Sequence, residues 1–210
     1  MIDNVNLSIE GHVKIWDPNT QEVFVDKRNA INAETMSIVA AHMLKGNNNS
    51  YIYEMHFGNG GAVIDETGNI TYRDVPLNLE AGTLAGLYNP TFYKNIDPAA
   101  TETVNPLPER NKIEISHVDG LKYTDLVITC TLEQDEPSLS SPGNLVQVQQ
   151  DVLDNATDFT GEFVFNELGL KSKGTGPTPS YLLSQIVFHP VQKAANRVIQ
   201  VVYTLRLRIT

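Results

Sequence analysis

The chain has a single cysteine, Cys130, among 210 residues. One thiol excludes an internal disulfide framework and fits a protein made in a reducing cytoplasm. Basic charge is also scarce. Fifteen Lys and Arg stand against 25 Asp and Glu, for a net charge of −10. Wrapping a nucleic-acid duplex needs concentrated positive charge, so specific nucleic-acid binding is not expected. No apolar run approaches the roughly 18 residues of a spanning helix, and no charged-then-apolar leader opens the sequence. Neither a membrane span nor secretion is expected.

Catalytic spacing is missing as well. The five histidines, His12, His42, His56, His117 and His189, are scattered. None forms the His-x-His, His-Glu-x-x-His or Cys/His pattern that a metal site needs. No serine sits in a Gly-x-Ser-x-Gly elbow. Asp65-Glu66 lacks the alternating oxygen ligands of a calcium loop. Gly58-Asn59-Gly60-Gly61 follows an apolar strand pattern, but no Lys-Ser/Thr and no helical pattern come after it. Those glycines read as a tight reversal with positive φ. Cys130 lies in an alternating apolar run, the setting of a buried, inert thiol. Glu133, Asp135 and Glu136 read as a solvated acidic loop. No catalytic residue, cofactor or metal ligand is assigned, and the chain is expected not to be an enzyme.

What the sequence does hold is β-pattern. From Val198 to Ile209 every odd position is apolar: Ile199, Val201, Tyr203, Leu205, Leu207 and Ile209. That is the period of a strand and not of a helix. The odd side chains are expected in the core, with Arg206 and Arg208 on the opposite face. Before this run, Ile186 to His189 reads as a short strand, with a turn through Pro190 and Ala194–Asn196. Val13–Trp16 and Val23–Val25 flank a Pro/Asn/Asp turn and read as a hairpin. Tyr51–Phe57, Lys112–His117 and Leu126–Leu132 are further strands, with turns at Thr67-Gly68-Asn69 and Asp119-Gly120. Leu145–Leu153 fits strand or helix. One helix is expected over Ala33–Lys45, with Met36, Val39, Ala40, Met43 and Leu44 on one stripe, Asn32 as N-cap and Gly46 as stop.

With 41% hydrophobic residues the chain has enough apolar mass for a core. The expectation is mainly β: an antiparallel β-sandwich with one amphipathic helix packed on it. Residues 1–11 read as an N-terminal arm. Residues 12–210 form a single domain, with a long irregular insertion around 73–111.

Four segments resemble small structural proteins of tailed-bacteriophage virions, of the neck, collar or tail-fibre attachment type. They are Phe57-Gly58-Asn59-Gly60-Gly61, Leu87-Tyr88-Asn89-Pro90-Thr91-Phe92-Tyr93, Phe165-Asn166-Glu167-Leu168-Gly169-Leu170, and Phe188-His189-Pro190-Val191-Gln192-Lys193 leading into the closing strand. The resemblance implies a structural virion component, synthesised in the host cytoplasm. Its partners would be other copies of itself and other neck, tail or fibre proteins. A fibre would continue into a shaft, whereas this sequence stops at Thr210, which favours a ring or adaptor subunit. A ring needs heterologous contacts whose rotation closes. Trp16, Tyr51, Tyr53, Phe92 and Tyr93 are candidate interface anchors, with core packing the alternative for each, and Arg206 and Arg208 are candidates for a neighbour's acids, with solvated charges on an outer face the equal alternative. The competing reading is a carbohydrate- or receptor-binding β-sandwich of a tail fibre or baseplate, using loops 73–111 and 134–144.

Overall fold

The computed structural model describes residues 6–46, 51–75, 82–97, 107–134, 136–137, 162–174 and 180–209. Alternation carries directly into strands. The last of them, β12 (Ile199–Ile209), lies between β1 (Leu7–Trp16) and β9 (Tyr123–Leu132), with Val201 opposite Ile15 and Cys130. β2 (Val23–Arg28) and β8 (Lys112–Ser116) complete a five-stranded sheet A in the order β2-β1-β12-β9-β8. Ile199, Val201, Tyr203 and Leu205 are buried, as their odd positions require, whereas Leu207 is half-buried and Ile209 exposed.

A second five-stranded sheet, B, faces the first. Its order is β3-β11-β10-β4-β7, from β3 (Ala30–Ile31), β11 (Leu182–Ala194), β10 (Glu162–Ser172), β4 (Ile52–Gly58) and β7 (Pro90–Asn95). A small hairpin, β5 (Ala62–Ile64) and β6 (Ile70–Tyr72), forms a separate two-stranded sheet beside β11. Every pairing is antiparallel. The protein is a mainly β, antiparallel sandwich with one α-helix among the described residues. Its core holds Val13, Ile15, Ile128, Cys130 and Leu132 from sheet A, and Met55, Phe57, Phe92, Phe165, Leu168 and Phe188 from sheet B. Phe57, Phe165 and Phe188 meet edge to face at 5.5 and 5.8 Å, a favoured geometry for aromatic pairs. Tyr203 bolts the sheets together: its buried hydroxyl donates to Ser184 Oγ at 2.6 Å and accepts from Asn29 Nδ2.

The helix α1 (Ala33–Leu44) begins where Asn32 accepts from the Thr35 amide, and Gly46 ends it at φ +79°. The Thr35 hydroxyl donates to the Leu182 carbonyl at 2.7 Å, fastening the helix to β11. Only the first half of its stripe is covered. Val39 is buried, but Met43 is 58% and Leu44 91% exposed, so the C-terminal turn runs past the sheet.

Other expectations are corrected. Residues 7–11 belong to β1 and not to an arm, because Leu7 to Gly11 pair with Ile209 to Leu205. Pro190 does not turn the chain. Phe165 opposes Val191 and Glu167 opposes Val187, so Phe188, His189 and Pro190 bulge opposite Asn166, a site that tolerates a residue without an N–H. The stretch 73–111 is not wholly an excursion, since β7 is an edge strand of sheet B, with Pro90 as its first residue. Glu133 and Glu136 are not simply solvated. Glu136 pairs at 2.7 Å with the buried Lys94, which also donates to the Thr131 carbonyl, and Glu133 pairs with Arg110. Residues 1–5, 145–153, Asp135 and most of the loop 134–144 lie outside the described residues.

Candidate functional site

The densest polar arrangement is a buried clamp on sheet B. β10 carries Asn166 and Glu167 between β11 and β4, just where β4 ends in its glycine-rich turn. Glu167 is fully buried. Its Oε1 accepts from the Gly60 amide at 3.1 Å and the Asn89 amide at 2.8 Å. Its Oε2 accepts from the Tyr88 amide at 2.9 Å and from Gln185 Nε2 at 3.0 Å. Asn166 adds a two-way bond: its Oδ1 accepts from the Gly61 amide at 2.8 Å and its Nδ2 donates to the Asn59 carbonyl at 2.9 Å. Asn89 Nδ2 donates to Asn59 Oδ1. A carboxylate is an acceptor-only group, and here both oxygens are matched by four donors.

Gly58 and Gly60 are needed for closeness rather than for positive φ, which neither has. A Cβ on Gly58 would lie 2.5 Å from the Asn89 carbonyl oxygen, and one on Gly60 2.7 Å from the Asn89 nitrogen. Backbone cannot yield at such distances. Three of the segments singled out in the sequence (57–61, 87–93 and 165–170) therefore meet at one point. Most of their polar groups are engaged there in holding chain to chain.

The interface candidates scatter. Phe92 is fully buried in the core and offers nothing to a neighbour. Trp16 is half-buried at the end of β1, with Lys14 Nζ 5.1 Å from its ring centre. Tyr51 and Tyr53 meet edge to face at 6.0 Å, and Lys173 Nζ lies over both rings. The Tyr51 hydroxyl donates to Asp97 at 2.8 Å. Burial, then that bond, raises its pKa. Tyr93 stacks on His56 at 5.1 Å. His56 reaches Glu54 at 2.8 Å, while burial holds the imidazole below its usual pKa.

Arg206 is occupied within its own sheet. It makes a two-pronged pair with Asp125, both contacts 2.8 Å, and lies 4.1 Å over the Tyr123 ring. Arg208 has no ion-pair partner among the described residues. The Arg206 bonds hold the Asp125 carboxyl below its ordinary value of 3.8. A carboxyl depressed in the folded state adds stability above its unfolded pKa and loses it as pH falls through the folded one. Thermal melts of Arg206→Gln are therefore expected to show a shallower loss of Tm below pH 3.8 than the parent. An identical acid limb would remove the pair from the stability of the fold.

A cleft of about 560 Å³ opens where the edge of β2, β6, residues 73–75 and the β11 bulge meet. Phe24, Tyr72, Lys27, Arg73, Asp74 and His189 line it. Tyr72 OH and His189 Nδ1 are 3.1 Å apart, and the Arg73 guanidinium lies 5.0 Å over the Tyr88 ring. Lys27 Nζ donates to the Val187 carbonyl, and burial lowers its pKa.

Cys130 is fully buried, and burial pushes its thiol up to about 12. The thiolate is the reactive form. A disulfide reagent at pH 8 is expected to leave the native protein untouched and to modify one thiol once it is unfolded in guanidinium. Rapid native labelling would refute that burial.

Among the described residues no group of three His, Cys, Asp or Glu is placed to hold a metal, and no helix is long and apolar enough to cross a membrane. Fold and clamp together define an antiparallel β-sandwich with a helix packed on it, whose most elaborate polar site among the described residues fastens its own strands. No family model matches the chain, and neither does any curated protein or solved structure.

Proposed function

We propose that the chain is a non-enzymatic structural subunit of a tailed-bacteriophage virion. It is of the neck, collar or tail-adaptor type, assembles into a ring and joins neighbouring virion parts or fibres. The observation that carries this reading is the convergence at Glu167 of three of the four segments bearing the resemblance. These segments interlock as one structural unit, and their polar groups serve cohesion. The test is to purify particles from cells that make the protein, identify the chain by mass spectrometry, and locate it with a labelled antibody. Label at the head–tail junction or tail, in several copies per particle, is the expected result. Absence of the chain from washed particles would overturn the proposal.

The cleft favours a second reading, a saccharide- or receptor-binding module. It places aromatic rings beside charged groups, and ligand sites are concave with a few placed polar groups. Specific retention on a glycan array, lost in Tyr72→Ala, would favour that reading over a purely structural one.

A further inference from the structure

Burial on the inner face of sheet A falls off toward one end. On its inner face Ile15 and Val13 are fully buried, but Leu7 is 56% exposed. β12 follows the same gradient from Ile199 at 0% to Ile209 at 55%. On the neighbouring strands Ile128 is buried, Leu126 half-buried and Ile115 76% exposed. The pairings set Leu7 beside Ile209, Ile9 beside Leu207, and Leu126 beside both Leu205 and Ile115. An apolar strip thus crosses the exposed end of the sheet and reaches β8.

There the sheet is open. β8 is the last strand in the order, bonded to β9 on one side and to no strand on the other among the described residues. Proteins usually blunt or cover such an edge, because its free N–H and C=O groups template another strand. The sequence of β8 fits itself. Lys112 and Glu114 alternate with Ile113 and Ile115, which share the face of the core residue Ile128. Set antiparallel to its own copy about Ile113, the strand places Lys112 of each copy opposite Glu114 of the other. The 3.1 Å Lys112–Glu114 pair within each copy then becomes part of an alternating group of four charges. Ile113 faces Ile113 on the apolar side.

From this self-complementarity we infer that a second copy of this chain adds to β8 about a two-fold axis, joining two five-stranded sheets into one of ten. Two-fold contacts use the same patch on both copies and are the commonest in homo-oligomers. The contact makes pairs, leaves other surfaces for a ring contact, and does not depend on the virion reading.

Sedimentation equilibrium of the purified chain tests it. The parent is expected at twice the chain mass. Lys112→Glu and Glu114→Lys each replace two attractions by repulsions and are expected to weaken the dimer by about tenfold or more, while a mixture of the two recovers it. The double exchange Lys112→Glu with Glu114→Lys restores self-pairing yet sets like charges against the parent. Parent and double exchange, mixed after dissociation, are therefore expected to sort into separate dimers, a readout that stands even if a single variant fails to fold. A parent at the mass of one chain overturns the inference, as do single variants that dimerise unchanged or statistical mixing of parent with double exchange. None of these results bears on whether the chain enters particles.

Discussion

Glu167→Ala is expected to lower unfolding free energy by about 4 kcal/mol or more, read from the midpoint of a urea titration. The side chain is fully buried and serves four donors: the amides of Gly60, Tyr88 and Asn89 and the side chain of Gln185. A buried donor left without a partner costs about 1–3 kcal/mol, and the truncation leaves four of them beside a cavity. The costs do not add fully, because the turn will relax toward water. Even so, the loss is a large share of the roughly 5–15 kcal/mol that holds a domain together. Glu167→Gln keeps the volume and one accepting oxygen but turns an amide N–H₂ toward donors. About half the loss, roughly 2 kcal/mol, is expected for it. Two variants that unfold with the parent would show that the clamp holds nothing.

The second large effect is expected at Val201. It is fully buried at the middle of sheet A, between Ile15 and Cys130. Val201→Asp places a carboxylate among apolar side chains without a partner, at a cost of about 3 kcal/mol or more. The neighbouring Val202 points the other way and is half-buried. Val202→Asp is expected to cost about 1 kcal/mol or less. The same urea titration reads both. Equal losses at the two positions would mean that the alternation does not set the faces of β12.

Both predictions rest on local chemistry, but only one was legible beforehand. The faces of β12 follow from a period of two residues and need no knowledge of the partner strands. The helix was visible for the same reason, as a stripe at helical spacing. That stripe records which side chains share a face and not how far the underlying sheet extends, so Met43 and Leu44 stand exposed. β7 stayed hidden because its inner face carries Lys94 beside Phe92. The lysine reads as surface, yet it is buried through its pair with Glu136, 42 positions away. The clamp was hidden more deeply. Gly60 lies 107 positions from Glu167, and Asn89 lies 78. The sequence shows an acid inside an apolar run, which is a signal of a satisfied buried carboxylate, but nothing local says where its donors come from. Arg206 likewise shows its face by parity, while its partner Asp125 is chosen by the β9–β12 register.

β12 occupies the middle of sheet A, although every other strand of that sheet precedes it in the chain. On a ribosome, β1 and β9 emerge long before the strand that separates them, and neither has its native neighbour on that side until Ile199–Ile209 is made. Pairing Leu7 with Ile209 closes a loop of some 200 residues, the kind of distant contact that slows folding. During that interval β1 and β9 lack the strand that joins them, and an incomplete sheet is prone to association with other chains. Acidic charge spread along the sequence supplies repulsion between nascent chains over that window. The closing strand thus acts as a timing device: sheet A becomes a sheet only when synthesis reaches it.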